Sequence, residues 1–191
     1  QKKKNSNPRK VYAVSLKNTE ILRQSASGGV FSGIAERWID EDGVVFGAAL
    51  ISEHGKLAVK HCSAMTKEEL KRLFGSKYVQ SDLEDTFVDA KDYLEKGKKV
   101  LYSGTPCQIA GLKAYLGTDY ENLFTIDLVC HGVPGNRMFQ EYLRSEETRR
   151  GARIENLKFR DKDYGWGLNA KLYYHVGEKA KSIVLPSYES S

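Results

Sequence analysis

Long apolar runs are missing from this 191-residue chain, and no stretch approaches the ~20 residues of a membrane-spanning helix. No signal-peptide pattern opens it either, so no membrane span is expected. Cysteine is scarce: Cys62, Cys107 and Cys130 are an odd number without tight spacing. They make neither a disulfide framework nor a CxxC zinc site, and a reducing, cytoplasmic setting is the simplest expectation. Charge of one sign is also modest. The formal net charge of +5 rests largely on Lys2, Lys3, Lys4, Arg9 and Lys10, a leader over residues 1–10 that is expected to be disordered. Basic and aromatic residues are not interleaved as in single-strand binders, so no nucleic-acid partner is expected. The remaining composition, 40% hydrophobic and 29% charged, is that of an ordinary globular protein.

What is present centres on Val100-Leu101-Tyr102-Ser103-Gly104-Thr105-Pro106-Cys107-Gln108. The apolar run predicts a buried strand, and Ser-Gly predicts a turn. Thr105 then suits a helix N-cap, Pro106 the first helical position, and Gln108 the third residue of a capping box. Cys107 accordingly falls in the first helical turn, where unpaired N–H groups and the helix dipole favour a thiolate.

Upstream, Val11–Leu16 alternates and predicts a first strand, and Ser25-Ala26-Ser27-Gly28-Gly29 opens an amphipathic helix through Ile39. A glycine-led helix start leaves bare N–H groups, which suit an anion. Val44–Ile51 and Leu57–Cys62 predict an antiparallel pair, with His61 and Cys62 on opposite faces and Cys62 structural. Thr66 and Glu69 make a second capping box. Gly75-Ser76-Lys77-Tyr78-Val79-Gln80-Ser81 combines hydroxyls, a lysine and a ring that suit a phosphate and a planar ligand. A helix is predicted over residues 83–96, closed by Gly97.

Downstream of Cys107, Leu123–Cys130 predicts another strand, followed by a helix that carries Met138, Phe139, Tyr142 and Leu143 inward. Strand–helix–strand–helix is the pattern of a parallel sheet, whose ligands bind at the C-terminal strand ends. Cys107 and Cys130 both fall at that edge. The tail predicts strands at 154–160 and 168–176, and then Lys181–Tyr188 without a closing element, as in an excised piece of a longer chain. The expected fold is α/β, with a mainly parallel sheet flanked by helices and an antiparallel extension. Residues 11–97 and 98–191 are expected to form its N- and C-terminal parts.

Three chemistries are open at the two cysteines: thiolate ligands of an iron–sulfur cluster, a Cys107 nucleophile with His131 as base in a hydrolase or transferase, and core residues of an interaction module. Six blocks then occur in order: residues 25–32, 75–81, 103–108 and 130–134, Phe159-Arg160-Asp161-Lys162, and Gly165-Trp166. Together they resemble the beta-subunit family of coenzyme F-420 hydrogenases and dehydrogenases. The resemblance implies an iron–sulfur flavoprotein oxidoreductase subunit that passes electrons between a reduced carrier, a 4Fe–4S cluster and FAD. Its implied partners are a ferredoxin or a hydrogenase or dehydrogenase subunit, and a small-molecule acceptor. It further implies that Ser25, Ser27, Gly28, Gly29, Gly75, Ser76, Lys77, Tyr78 and Thr105 line the flavin site. Lys77 would offset phosphate charge and Tyr78 would pack on a ring, while Cys107 and Cys130 would serve the cluster. The ferredoxin module and the later CxxC segment of the family are not in this sequence.

Overall fold

A computed structural model of the protein describes residues 10–163, 165, 167 and 169–185. The leader residues before Lys10, Trp166 and the tail past Leu185 lie outside the described residues. The order of elements is α1 (Thr19–Gln24), α2 (Val30–Asp40), β1 (Val44–Glu53), β2 (Lys56–Ala64), α3 (Lys67–Leu70), a 3-10 turn (Lys71–Leu73), and α4 (Thr86–Glu95). There follow β3 (Val100–Gly104), α5 (Pro106–Leu116), β4 (Leu123–Asp127), α6 (Asn136–Arg150), β5 (Ile154–Lys158), β6 (Ala170–Val176) and β7 (Lys179–Leu185).

The fold is α/β. One sheet has the order β2-β1-β3-β4, and a separate sheet has the order β5-β6-β7. In the first, β1, β3 and β4 run parallel, while β2 returns antiparallel on β1. Strand β3 is buried throughout. Its pleat sends alternate side chains to opposite faces. Val100 and Tyr102 pack with Val44, Phe46, Leu94, Ile109 and Leu112, beneath α4 and α5. Leu101 points the other way, to Ala35, Val45, Leu70 and Leu73 of α2, β1, α3 and the 3-10 turn. A third cluster joins Val59 of β2 to Phe139 and Leu143 of α6 and to Ile154, Leu157 and Leu172 of the antiparallel sheet.

The start of α5 has the capping box expected from Thr105 and Gln108, with Pro106 at the first helical position. Thr66 likewise accepts from Glu69 N at 3.2 Å, and the Glu69 carboxylate accepts from the backbone of Met65 as well as of Thr66. Residues 11–16 are not a strand: they run as exposed coil. Their alternation finds no neighbouring strand, and Leu16 N instead donates to Gly28 O at 2.8 Å. Strand β4 ends at Asp127, so Cys130 lies in the following loop. The helix predicted from residue 83 starts at Thr86. On α6, Phe139 and Leu143 face the core, but Met138 is 67% exposed and Tyr142 half-exposed. The core covers only a narrow stripe of that helix. The tail does have a closing strand, β7, paired with β6. Lys179 and Lys181 lie on a solvent-facing edge, where charge tolerates an otherwise unpaired strand.

Leu112 is fully buried between α5 and the sheet. Leu112→Ala is expected to cost about 2–5 kcal/mol of unfolding free energy, measured by urea denaturation.

Candidate functional site

Beyond the C-terminal ends of β3 and β4 lies a cavity of about 680 Å³. That is within the range of small-molecule and cofactor sites, roughly 300–1,000 Å³. It is walled by the coil at Tyr12 and Val14, the loop and helix start over 25–32, Gly47 and Ala48 of β1, His61 of β2, the loop over 75–81, and the strand ends with Thr105, Gln108 and residues 128–130. The cavity thus gathers Ser25, Ser27, Gly28, Gly29, Gly75, Ser76, Lys77, Tyr78, Thr105 and Cys130 on one surface. Cys107 is exposed on α5 and does not line it.

The 25–32 wall is held by two spent hydroxyls. Ser25 Oγ donates to Ile21 O at 2.8 Å, so Ser32 supplies the hydrogen of the 2.8 Å bond between Ser25 and Ser32. Gly28 has no space for a side chain, because a Cβ there would stand 2.3 Å from Val14 O. Gly29 is the N-cap of α2 at φ 79°, a left-handed conformation that glycine adopts without strain. It offers no side-chain cap, and the first N–H groups of this 11-residue helix open beside the cavity.

The 75–81 wall differs from expectation in its lysine. Lys77 Nζ donates to the carbonyls of Arg72, Phe74 and Gly75 at 3.0, 2.7 and 3.3 Å. Burial pulls its pKa down to about 7. The three carbonyls favour the ammonium form, since a neutral amine has only two hydrogens to give. Lys77 therefore braces the loop by closing the 3-10 turn, and its positive charge stands at the cavity wall. Tyr78 meets Phe159 edge-on at 6.2 Å and is partly exposed. Gln80 N donates to Pro134 O at 2.9 Å, tying this loop to the one after β4.

Sequence reasoning missed His61. It is only 3% exposed, lines the cavity, and bonds Ser81 Oγ through Nδ1 at 2.8 Å and Ser103 O through Nε2 at 2.9 Å. Its ring stacks on Tyr102 at 5.5 Å. The signal available in sequence was its place on a strand opposite Cys62. Its partners come from two other segments, which one-dimensional spacing does not show. Burial lowers its pKa, the bond to Ser103 O opposes that, and the Lys77 charge adds to the lowering.

The cysteines are apart from this network. Cys107 Sγ and Thr105 Oγ1 share a 3.1 Å bond, and Cys130 Sγ accepts from Gly132 N at 3.4 Å. No hydrogen bond joins Cys107 to His131 among the described residues, so the hydrolase reading has no geometry behind it. Among the described residues, no group of three or more His, Cys, Asp or Glu side chains is placed to hold a metal ion.

A parallel-sheet domain with a glycine-lined cofactor-sized cleft at its strand ends is the class that these features define. Residues 97–187 match the model of the family described as the C terminus of the coenzyme F420 hydrogenase/dehydrogenase beta subunit. No curated protein matches the chain. Among solved structures, a chain of the xenon-derivatised F420-reducing NiFe hydrogenase complex from Methanosarcina barkeri is similar to it, with a TM-score of 0.55 and 17% identity. That likeness covers 92% of this chain and 60% of the other, so the present chain spans well under the full length of its structural neighbour. At this identity the likeness concerns the fold.

A histidine held below its ordinary pKa makes the folded state bind fewer protons than the unfolded chain. Its contribution to stability is full above about pH 6.5 and is lost as pH falls through the folded-state value. Urea unfolding between roughly pH 7.5 and 5 should show declining stability, and His61→Gln should flatten that slope.

Proposed function

We propose that this chain is the flavin-binding part of an oxidoreductase subunit, with FAD seated in the cavity at the strand ends. The single observation that carries the reading is the convergence of the glycine-led start of α2 and the Lys77 loop on one 680 Å³ cavity. Uncapped N–H groups on one wall and a lysine charge on another suit a pyrophosphate. The largely apolar remainder, including Phe31, Leu73 and Val79, suits a planar ring. Flavin in that place supplies the exchange between two-electron and one-electron carriers. The chain would bind the phosphates, hold the ring against the strand ends and leave one side open to a partner. That partner is a ferredoxin, or a hydrogenase or dehydrogenase subunit, with a small-molecule acceptor beyond it. Three unpaired thiols are in keeping with a reducing, cytoplasmic setting.

The cluster does not fit the chain by itself. A 4Fe–4S cluster takes four thiolates, whereas this sequence has three cysteines, of which Cys62 is half-buried on β2. Cys107 and Cys130 would serve as part of a ligand set whose remaining members come from another segment or a partner protein.

Titration with FAD, followed by quenching of flavin fluorescence, should give one site per chain with a dissociation constant of about 10 μM or tighter. Ala48 lines the cavity. Ala48→Phe places a ring there and should weaken binding by roughly tenfold or more, with thermal unfolding as the control for folding. A chain that leaves flavin fluorescence unchanged refutes the reading. Separately, anaerobic reconstitution with iron and sulfide should leave this chain without a stoichiometric cluster; four irons per chain would show a ligand set other than cysteine alone.

A further inference from the structure

Hydrogens on the cavity floor can be assigned bond by bond. Ser103 offers a carbonyl oxygen, which only accepts, so His61 Nε2 carries the hydrogen of their 2.9 Å bond. A neutral imidazole has one N–H, so Nδ1 accepts, and Ser81 Oγ donates across 2.8 Å. Thr105 N donates to Gln108 Oε1 at 2.9 Å, which fixes the orientation of that amide. Gln108 Nε2 therefore donates to Ser81 Oγ, also at 2.9 Å. The Ser81 oxygen gives its one hydrogen to His61 and one lone pair to Gln108. One lone pair is left, on a side chain that lines the cavity.

The surroundings keep His61 neutral in this state. Burial disfavours a charged ring, the bond to Ser103 O opposes that, and from the 75–81 loop Lys77 contributes a like charge; Tyr102 of β3 stacks on the face of the His61 ring. Its own backbone N–H donates to Asp82 O at 2.7 Å, which holds the 81–82 segment against β2. A core histidine needs no such alignment of acceptors toward a cavity wall. A neutral imidazole behind a cavity-facing hydroxyl, with every donor accounted for, is arranged as a base that acts through that hydroxyl.

We propose that Ser81 and His61 form a proton relay for the ligand of this cavity. Ser81 Oγ receives a proton from an N–H or O–H of the bound redox ring, while its own hydrogen passes to His61 Nδ1. The ligand's bond to hydrogen breaks and a new O–H forms on Ser81. The former O–H of Ser81 breaks and an N–H forms on His61, which ends as imidazolium. The two electrons that the ring gives up leave separately, to one-electron acceptors. Ser81 is the group that meets the ligand, His61 is a positioning residue that stores the proton, and Gln108 fixes the serine. The relay rests on the flavin reading above.

Two measurements test it. In the 15N-labelled chain, long-range imidazole spectra should show His61 as the Nε2–H tautomer, titrating below an ordinary histidine. Finding the Nδ1–H tautomer overturns the relay whether or not flavin binds. The FAD-loaded chain, reduced with dithionite, is then mixed with ferricyanide in stopped flow across pH, in H2O and D2O. Reoxidation should slow as acid protonates His61 and should show a solvent isotope effect. Ser81→Ala and His61→Gln should be slower by roughly tenfold or more and lose the acid limb, and Ser81→Thr should restore both. Variants that load FAD yet keep the rate and pH profile of the parent overturn the relay alone. A parent chain that takes up no FAD overturns the flavin reading, and the ring assigned to the relay with it.

Discussion

A strand buried along its whole length has to satisfy every backbone group inside the protein, and β3 does so through its ladders with β1 and β4 and, at its end, through its last two carbonyls. Ser103 O accepts from His61 on one side, and Gly104 O accepts from Leu128 N at 3.0 Å on the other. Those two bonds tie His61 and the Leu128 segment, both of which line the cavity, to the end of β3. Gly104 itself cannot grow a side chain cheaply, because a Cβ would come within 3.1 Å of Gln108 Oε1. The turn into α5 therefore stays thin, and the capping box of Thr105 and Gln108 reaches the cavity floor. The same amide caps a helix and orients a serine, so the stability of α5 and the polarity of the site share one side chain.

Polar groups around the cavity divide into those spent on structure and those left for a ligand. The hydroxyl hydrogens of Ser25 and Ser32 are spent on Ile21 O and on Ser25 Oγ, and Lys77 is spent on three carbonyls. The backbone N–H groups that begin α2 and one lone pair of Ser81 are among those left. Residue types that suggest phosphate contact in a sequence can thus act one step back, by holding the backbone that makes the contact.

Local signals were legible where short-range chemistry decides structure. Thr105, Pro106 and Gln108 announced a helix start, and the apolar run 100–102 announced a buried strand. The structure gathers the two glycine-led loops at one cavity. Where tertiary partners decide, the pattern misled. Residues 11–16 alternate like a strand but meet no strand, and their backbone instead leans on Gly28. Strand β7 carries lysines and little apolar periodicity, and it exists because β6 offers it an edge. His61 looked incidental since Ser81 and Ser103 lie 20 and 42 residues away. Nothing in the spacing of residues 60–62 carries that information.

Parallel pairing of β1 with β3 and of β3 with β4 joins residues far apart in the chain, and such contacts form slowly because long loops must close first. The β1–β2 hairpin is local by comparison. The cavity draws on segments from Tyr12 to Val133, so no early, partly paired intermediate can present it. Any molecule that occupies it selects the finished native state over everything that precedes it, and deepens that basin by mass action. In a cell, the supply of such a molecule would then act as a late checkpoint on the maturation of this chain.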